Sequence, residues 1–440
     1  MSRKNLKKYM FLIPLIGTLI HQVYCNRNFD DRPIYTDINK GGHFPGFVYL
    51  NGGNLQHMID TISPHSTVIC DRNKQRVITT PIVIRKPIKL VGLNARLTDN
   101  LGKTSIVEVR SEGVTITDFE LYGNASTVSQ KERAALITIY AGDFRIERGT
   151  VENSSKEGIE VDQRENPTPI DGGVIRDIVG KGCVRDVVSL GGPAGPEPHV
   201  RNVLVENIRG YNSSMRGVVE VSDGCEYITV RKIYAENCIY AIDVQDHNKH
   251  EINRHIFISD VHALRCDHAI RTFNHLNGHL GLTISNLTAK DCKKSLYIKN
   301  TNHVQIQNLF IEGYDGEEPA IVITNCDGLT VRDVDLIDCT SGAQGLLIEN
   351  CENVIVDGLR LRHSGSLASA VTYRISEDKK FENLSIRNVN AVKVVDAGII
   401  LEKESENSML KDYIISGNMT SVSDQIMGTH RIITQNTPIK

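Results

Sequence analysis

The stretch "VLVENIRGYN" (203–212), followed by a polar break and then by "VEV" (219–221), is the repeating unit that decides the fold. From about residue 105 the chain repeats this unit every 22–31 residues. Each unit ends in a very short strand, and no helical pattern separates one unit from the next. Short strands joined by turns predict a parallel β-helix, because one coil cannot bury its own apolar face and stacking buries it between neighbours.

The last strands of the units align in a single column. They are "IVEV" (106–109), "ITI" (137–139), "IEV" (159–161), "VSL" (188–190), "VEV" (219–221), "IDV" (242–244), "IRT" (270–272), "LYI" (296–298), "IVI" (321–323), "LLI" (346–348), "VTY" (371–373) and "IIL" (399–401). They predict an all-β, single-stranded parallel β-helix of about 12 coils over residues 67–405, with about 4.8 Å between neighbouring strands. A C-terminal cap or tail is expected over 406–440.

A helix is expected before the first coil. The stretch "GGNLQHMIDTI" (52–62) has apolar residues at positions 55, 58, 59 and 62, which is helical spacing. Within an N-terminal segment over 26–66, this helix is predicted to cap the first coil, whose edge would otherwise be exposed.

The N-terminus has the pattern of an export signal. "MSRKNLKKYM" (1–10) supplies four basic residues and "FLIPLIGTLI" (11–20) is a ten-residue apolar run, too short to span a bilayer. Residues 1–25 are therefore predicted to be a signal peptide that directs the protein to the periplasm or beyond, with no membrane span. A lipid anchor at Cys25 is a less favoured alternative, since Tyr24 is a poor residue before it.

The ten cysteines would suggest disulfides in an exported protein, but their spacing suggests otherwise. Cys238, Cys266 and Cys292 each precede the centre of their strand by five residues, and Cys326 and Cys351 each follow it by four. Side chains at one offset stack in register, so these cysteines are predicted to be interior filler rather than disulfide partners or metal ligands.

The opening coils "VITTPIVIRKPIKLVGLNARL" (77–97), the exported N-terminus and asparagines that recur at one turn resemble the pectate-lyase-like superfamily. These asparagines are Asn207, Asn286, Asn308 and Asn388. The resemblance covers about residues 45–405 and implies a right-handed parallel β-helix. The superfamily holds polysaccharide lyases, C5-epimerases, glycoside hydrolases and non-enzymatic spikes and adhesins, so the fold alone does not choose a reaction.

Outward-facing positions on the aligned strands carry a polar patch. Because side chains alternate along a strand, the residue between two apolar ones points away from the core. The ionisable residues gather on about six coils, an extent of about 25 Å, which suits several sugar units. They are Glu160, Asp162, Glu220, Asp243, Arg271, Tyr297 and Lys299, and Gln245, Asp246 and Phe273 are also expected to contact the substrate. A charged face that is merely solvated is the competing interpretation.

Histidines add acid–base groups beside this patch. Seven of the fifteen lie between His247 and His279, and His247 and His275 follow their strands at the same offset. These two are therefore expected to project from one turn on neighbouring coils.

Three classes of function fit the patch. The first is C5 proton abstraction from a uronic acid followed by β-elimination (a lyase or dehydratase), with Arg271 and Lys299 holding the sugar carboxylate. Tyr297, His247 or His275 would then serve as base and acid. Alternatively, Glu220 and Asp243 could bind a Ca²⁺ that neutralises the carboxylate.

The second class is glycoside hydrolysis by paired carboxylates. The pair would be Glu220 with Asp243, or else Asp243 with either Glu160 or Asp162. The third is non-catalytic carbohydrate binding.

The stretch "YAIDVQD" (240–246) is similar to the Tyr-Gly-Phe-Asp-Pro-His-Asp motif of alginate C5-epimerases. Tyr240, Asp243 and Asp246 match it, but Gln245 stands where that family has His, which puts an epimerase in doubt.

The charge of the chain limits its possible binding partners. A net charge of −3 with interspersed signs argues against nucleic acid, and the expected partner of this predicted monomer is an acidic poly- or oligosaccharide.

Overall fold

The computed structural model describes thirteen segments of the chain. They are residues 46–50, 53–163, 168–191, 199–247, 251–273, 278–340, 342–364, 366–376, 380–391, 394–404, 407–419, 422–424 and 431–434. The predicted signal peptide, Cys25 and His275 lie outside the described residues.

The described strands form two parallel sheets, which confirms the predicted right-handed parallel β-helix of about 12 turns. The first, called here the short-strand sheet, has fourteen strands. They are β4 (Ile82–Ile84), β7 (Val107–Val109), β9 (Ile137–Ile139), β11 (Ile159–Asp162), β13 (Val188–Gly191), β15 (Gly217–Ser222), β17 (Tyr240–Gln245), β19 (His268–Phe273), β21 (Lys294–Lys299), β23 (Ile321–Thr324), β25 (Leu346–Glu349), β27 (Ser369–Ile375), β29 (Ala397–Lys403) and β31 (Val422–Asp424).

The second, the long-strand sheet, has eighteen strands. They are β1 (Phe47–Leu50), β2 (Thr67–Cys70), β3 (Arg76–Ile78), β5 (Lys89–Val91), β6 (Asn94–Leu97), β8 (Thr115–Tyr122), β10 (Phe144–Glu152), β12 (Ile170–Lys181), β14 (Val200–Tyr211), β16 (Glu226–Glu236), β18 (Arg254–Leu264), β20 (His279–Lys290), β22 (Thr301–Glu312), β24 (Asp327–Ile337), β26 (Glu352–Arg362), β28 (Lys380–Ala391), β30 (Met409–Met419) and β32 (Arg431–Thr434).

The recurring asparagines lie inside the long strands, where the backbone changes direction. Asn207, Asn286, Asn308 and Asn388 have φ between 53° and 58°, in the left-handed region that Asn tolerates better than most residues. Their side-chain amides also link neighbouring coils, as in the hydrogen bond from Asn308 Nδ2 to Asn286 Oδ1 at 3.1 Å. The recurring asparagines therefore both make the bend and bridge neighbouring coils.

The core runs along the axis between the sheets and is filled by stacked apolar side chains. Each of the nine cysteines in the described part of the chain is buried and free, as the filler interpretation predicts. Cys238, Cys266 and Cys292 each lie two residues before a member of the paired column Tyr240, His268 and Lys294, so these three stack in register. Burial also raises the pKa of Cys183 to about 12, which keeps that thiol protonated and unreactive.

The expected N-terminal helix is present as α1 (Leu55–Thr61), with the Asn54 side chain accepting from the His57 backbone N–H. Gln56 accepts from the Val83 N–H at 2.7 Å and donates to its carbonyl at 3.0 Å, on the edge strand β4. This contact suits a capping role, which stays a prediction. A 3-10 helix spans Gln130–Glu132.

At the other end the coils continue past residue 405, where the sequence pattern placed the cap. Strand β30 pairs with β28, and β32 pairs with β30. Among the described residues, no helix is both long and apolar enough to cross a bilayer.

Candidate active site

The outward positions of the short-strand sheet pair coil by coil as the sequence alignment predicts. Glu160 pairs with Ser189, Ser189 with Glu220, and Glu220 with Asp243. The column continues from Asp243 to Arg271 and from Arg271 to Tyr297. Neighbouring parallel strands lie about 4.8 Å apart, so these side chains form one continuous row on the face of the sheet.

A second row runs beside the first, three residues earlier in each strand. Tyr240 pairs with His268, and His268 pairs with Lys294. Three adjacent coils thus present the pairs Tyr240–Asp243, His268–Arg271 and Lys294–Tyr297, listed here from the N-terminal coil upward. This two-by-three grid is the centre of the candidate site.

Asp243 is a fully buried carboxyl in this grid and is ion-paired with Arg271. Its side chain is 0% exposed, and one carboxylate oxygen accepts from Arg271 Nη2 at 2.6 Å. Burial raises the pKa of Asp243 to about 6, although Arg271 opposes the shift. The guanidinium of Arg271 also lies 4.6 Å from the centroid of the Tyr240 ring, a cation–π contact.

One coil below, Glu220 has a comparable environment. It is paired with Arg216, which precedes β15, and Arg185 Nη2 lies 3.8 Å away. Although burial acts in the opposite direction, Arg216 and Arg185 lower the pKa of Glu220. Glu220 is thus an ionised carboxylate beside Asp243, whose pKa is shifted the other way.

Beneath these ion pairs lies Asp186, a fully buried carboxyl. It accepts from the Tyr240 hydroxyl at 2.8 Å and from the Gly217 backbone N–H at 3.2 Å. Burial and the nearby Glu220 charge raise its pKa well above the usual range. Asp186 is therefore the member of the Asp186–Glu220 pair that holds a proton. A Cβ at Gly217 would overlap the Tyr240 ring, so this close approach needs glycine.

His247 lies at the rim, where the turn after β17 begins. Its Nδ1 is 2.9 Å from Asp223 Oδ2 and its Nε2 is 3.3 Å from Arg216 Nη2. The hydrogen bond to Asp223 raises the pKa of His247. Behind it, Asp223, Asp246 and Glu251 are buried, and one oxygen from each lies within 4.8 Å of the others. Of the described carboxylates, these three could together hold a cation.

The remaining predicted residues lie along the same face. Glu160 is paired with Lys156 at 2.6 Å; burial and the Glu157 carboxylate raise its pKa to about 7. Asp162 is buried and in register with Gly191, and Gln245 is buried and in register with the exposed Phe273. Lys299 is half-buried, in register with Thr324 at the C-terminal end of the patch.

A Ca²⁺ bound between Glu220 and Asp243, the alternative that the sequence left open, would meet an unfavourable environment. Each carboxylate is already ion-paired with a guanidinium, and Arg216 and Arg271 would repel a divalent cation placed between them. No step below depends on such an ion.

Burial divides the site into two layers of opposite charge. The carboxylates lie underneath, with Glu220 2% and Asp243 0% exposed. The side chains of Arg216 and Arg271, at 23% and 25%, lie above them and face solvent. The accessible groups directly above these two carboxylates are therefore cationic, and Lys294 in the neighbouring row is paired with Glu318.

Sequence reasoning did not single out Asp186, Arg216, His268 or Lys294. Asp186 and Arg216 each precede a short strand, outside the aligned positions. Tyr240 entered only through its motif, and His268 begins β19 in an otherwise unremarked row. A signal did exist, because extending the alignment three residues toward the N-terminus would have brought Tyr240, His268 and Lys294 into one column.

No family model matches the chain, and no curated protein is similar to it in sequence. Solved structures are similar in fold. The N-terminal fragment of bacteriophage phi29 gene product 12 matches with a TM-score of 0.59 at 13% identity, over 83% of this chain and 80% of that one. The Azotobacter vinelandii mannuronan C-5 epimerase AlgE6 A-module matches at 0.48 and 12% identity (84% and 90% covered).

A family 28 exopolygalacturonase of Yersinia enterocolitica matches at 0.43 and 11% identity, over 83% of this chain and 74% of that one. The match to the phi29 fragment supports the parallel β-helix fold that the chain's repeat predicts. At these identities the similarity establishes the fold and leaves the chemistry to the site itself.

Proposed function

We propose that the protein is an exported carbohydrate-active enzyme that cleaves a uronic-acid-containing poly- or oligosaccharide by C5 proton abstraction and β-elimination. The observation that carries the proposal is the cationic layer of Arg216 and Arg271 above buried carboxylates. Guanidinium groups recognise a planar carboxylate through paired N–H donors, and a sugar carboxylate must be neutralised before its C5 proton becomes acidic.

The buried carboxylates support this role by orienting the arginines. The Arg271 side chain makes one hydrogen bond within the described chain, to Asp243. Other N–H groups of its guanidinium can therefore donate to a ligand. Its stacking on Tyr240 further restricts its motion. A preoriented guanidinium loses less entropy on binding than a free one, which favours binding of an anionic sugar.

Acid–base groups flank the arginines. Tyr297 is half-buried in the column next to Arg271, and His247 contacts Arg216 at the rim. Either can exchange a proton with a sugar bound across Arg216 and Arg271.

Glycoside hydrolysis is the second candidate. Glu220 and Asp243 lie on adjacent strands with pKa values shifted in opposite directions, as an acid and a nucleophile or base require. This candidate requires the substrate to reach two buried carboxylates, which the arginines cover. Elimination requires contact only with the exposed layer, so it is preferred.

The test is a panel of uronate-containing saccharides with matched neutral ones. Elimination predicts the ultraviolet absorbance of an unsaturated uronate together with new reducing ends, on uronates only. Reducing ends without that absorbance would support hydrolysis instead, and neither product across the panel would support binding alone. Arg271→Ala should abolish the activity, whereas Arg360→Ala, which removes an arginine paired with Asp335 on the long-strand sheet, should not.

A further inference from the structure

We propose that His268, which no motif singles out, is the base that removes the C5 proton in the proposed elimination. The inference rests on the proposed function and names the group that performs its central step. His268 begins β19, and its outward position places it between Tyr240 on one coil and Lys294 on the next.

The ring of His268 lies among the groups that would bind the sugar carboxylate. It is three residues from Arg271 on the same strand, and its ring meets Tyr297 edge-on with centroids 6.2 Å apart. In a β-elimination the abstracted proton is on the carbon that carries the carboxylate. A base for it must therefore lie beside the carboxylate-binding arginine, as His268 does.

Neither ring nitrogen of His268 makes a hydrogen bond to the described part of the chain, and its Nδ1 is buried. Half-buried histidines with a purely structural role are ordinarily held by hydrogen bonds. Here one nitrogen lone pair is left to accept a proton from a ligand, which is the property a general base needs.

The surroundings also keep this imidazole neutral. Burial, with the nearby Arg271 and Lys294 charges, lowers the pKa of His268 to about 4, while Asp267 and Glu318 oppose the shift. Both carboxylates are ion-paired, Asp267 with Lys293 at 2.6 Å and Glu318 with Lys294. The bound uronate would itself raise the basicity of His268 by bringing a negative charge beside it.

The step balances without any further reactant. A nitrogen of His268 takes the C5 proton, and the C5–H electron pair becomes the C4–C5 double bond. The C4–O bond breaks with its electron pair on the glycosidic oxygen, which takes a proton from the Tyr297 hydroxyl. The imidazolium then returns its proton through water to the tyrosinate, and the enzyme is restored.

The experiment compares wild type, His268→Ala and His262→Ala on a uronate oligosaccharide that the wild type cleaves. His262 is the control, since it is exposed on the long-strand sheet and stacked on Tyr234 at 5.4 Å. For His268→Ala we expect kcat to fall by about 10²- to 10⁴-fold with KM changed by less than about threefold. Added imidazole should restore part of the rate, because it can occupy the vacated space and accept the proton.

Three results would overturn the inference. The first is a His268→Ala protein that keeps more than about a tenth of the wild-type kcat. The second is a loss of kcat that imidazole does not restore, with an unchanged melting temperature. The third is a wild type that releases reducing ends without unsaturated product, which would also overturn the proposed elimination; the first two would leave elimination in place and remove only His268.

Discussion

Replacement of Asp243 by Asn should change how the stability of this protein depends on pH. The Asp243 carboxyl is fully buried, and its pKa in the folded protein is raised to about 6 from the usual 3.8. Between these two values the folded state binds more protons at this residue than the unfolded state does. The stability contribution of Asp243 is therefore full at low pH and is lost as the pH rises toward 6.

The magnitude follows from the shift. A shift of about two units corresponds to about 3 kcal/mol when the carboxyl is fully ionised in both states. Part of this cost is already present at about pH 4.5, where the unfolded carboxyl is mostly ionised, so about 2 kcal/mol develops between about pH 4.5 and pH 7.5. The Asp243→Asn protein lacks this titration and should gain that amount relative to wild type over the interval.

Urea unfolding of both proteins at the two pH values measures this difference. Taking the change between variants cancels the other titrating carboxyls to the extent that they are independent of Asp243. Asp335→Asn is the control, because Asp335 is also paired with an arginine, Arg360 at 2.7 Å, but on the outer face of the long-strand sheet. A difference between wild type and Asp243→Asn that is equal at both pH values would refute the reasoning.

Three further predictions test the layers of the site. Arg216→Lys should lower kcat/KM on a uronate substrate by about tenfold or more, measured from unsaturated product, because an ammonium cannot reproduce the planar donor pair. Tyr240→Phe removes the hydroxyl that donates a hydrogen bond to Asp186 at 2.8 Å, and should lower the free energy of unfolding by about 1–3 kcal/mol in urea; an unchanged midpoint would contradict this. Gly217→Ala should cost about 1–3 kcal/mol through its clash with the Tyr240 ring, whereas Gly342→Ala, with open space around its Cβ, should be nearly neutral.

Much of the architecture could be predicted because a β-helix is a local repeat. The pairing of Asp243 with Arg271 and of Arg271 with Tyr297 follows from aligning short strands, since each coil stacks on its neighbour in register. The stacked cysteines and the recurrence of asparagines at one turn were predictable for the same reason. The end of the coils was not predicted, since β30 pairs with β28 beyond residue 405.

The site was harder to predict because its chemistry depends on side-chain reach and burial. Arg216 lies outside the aligned positions, yet its side chain extends back over Glu220. Asp186 is 54 residues from Tyr240 in sequence, and their hydrogen bond exists only because stacking of the coils brings the start of β17 over the residues before β13. Nothing in the sequence pattern distinguishes a carboxylate that faces solvent from one covered by arginines.

The sequence by itself thus determined the coil, its register and the row of polar residues that the coil displays, because alternation and repeat length act locally along the chain. Only the tertiary structure decided which of those residues meet solvent. Asp243 and Glu220 are outward by alternation but buried in fact, since arginines from a preceding turn and the next coil lie over them. Burial also shifts the pKa values of Asp243 and His268 in opposite directions, because it penalises whichever form of a group is charged.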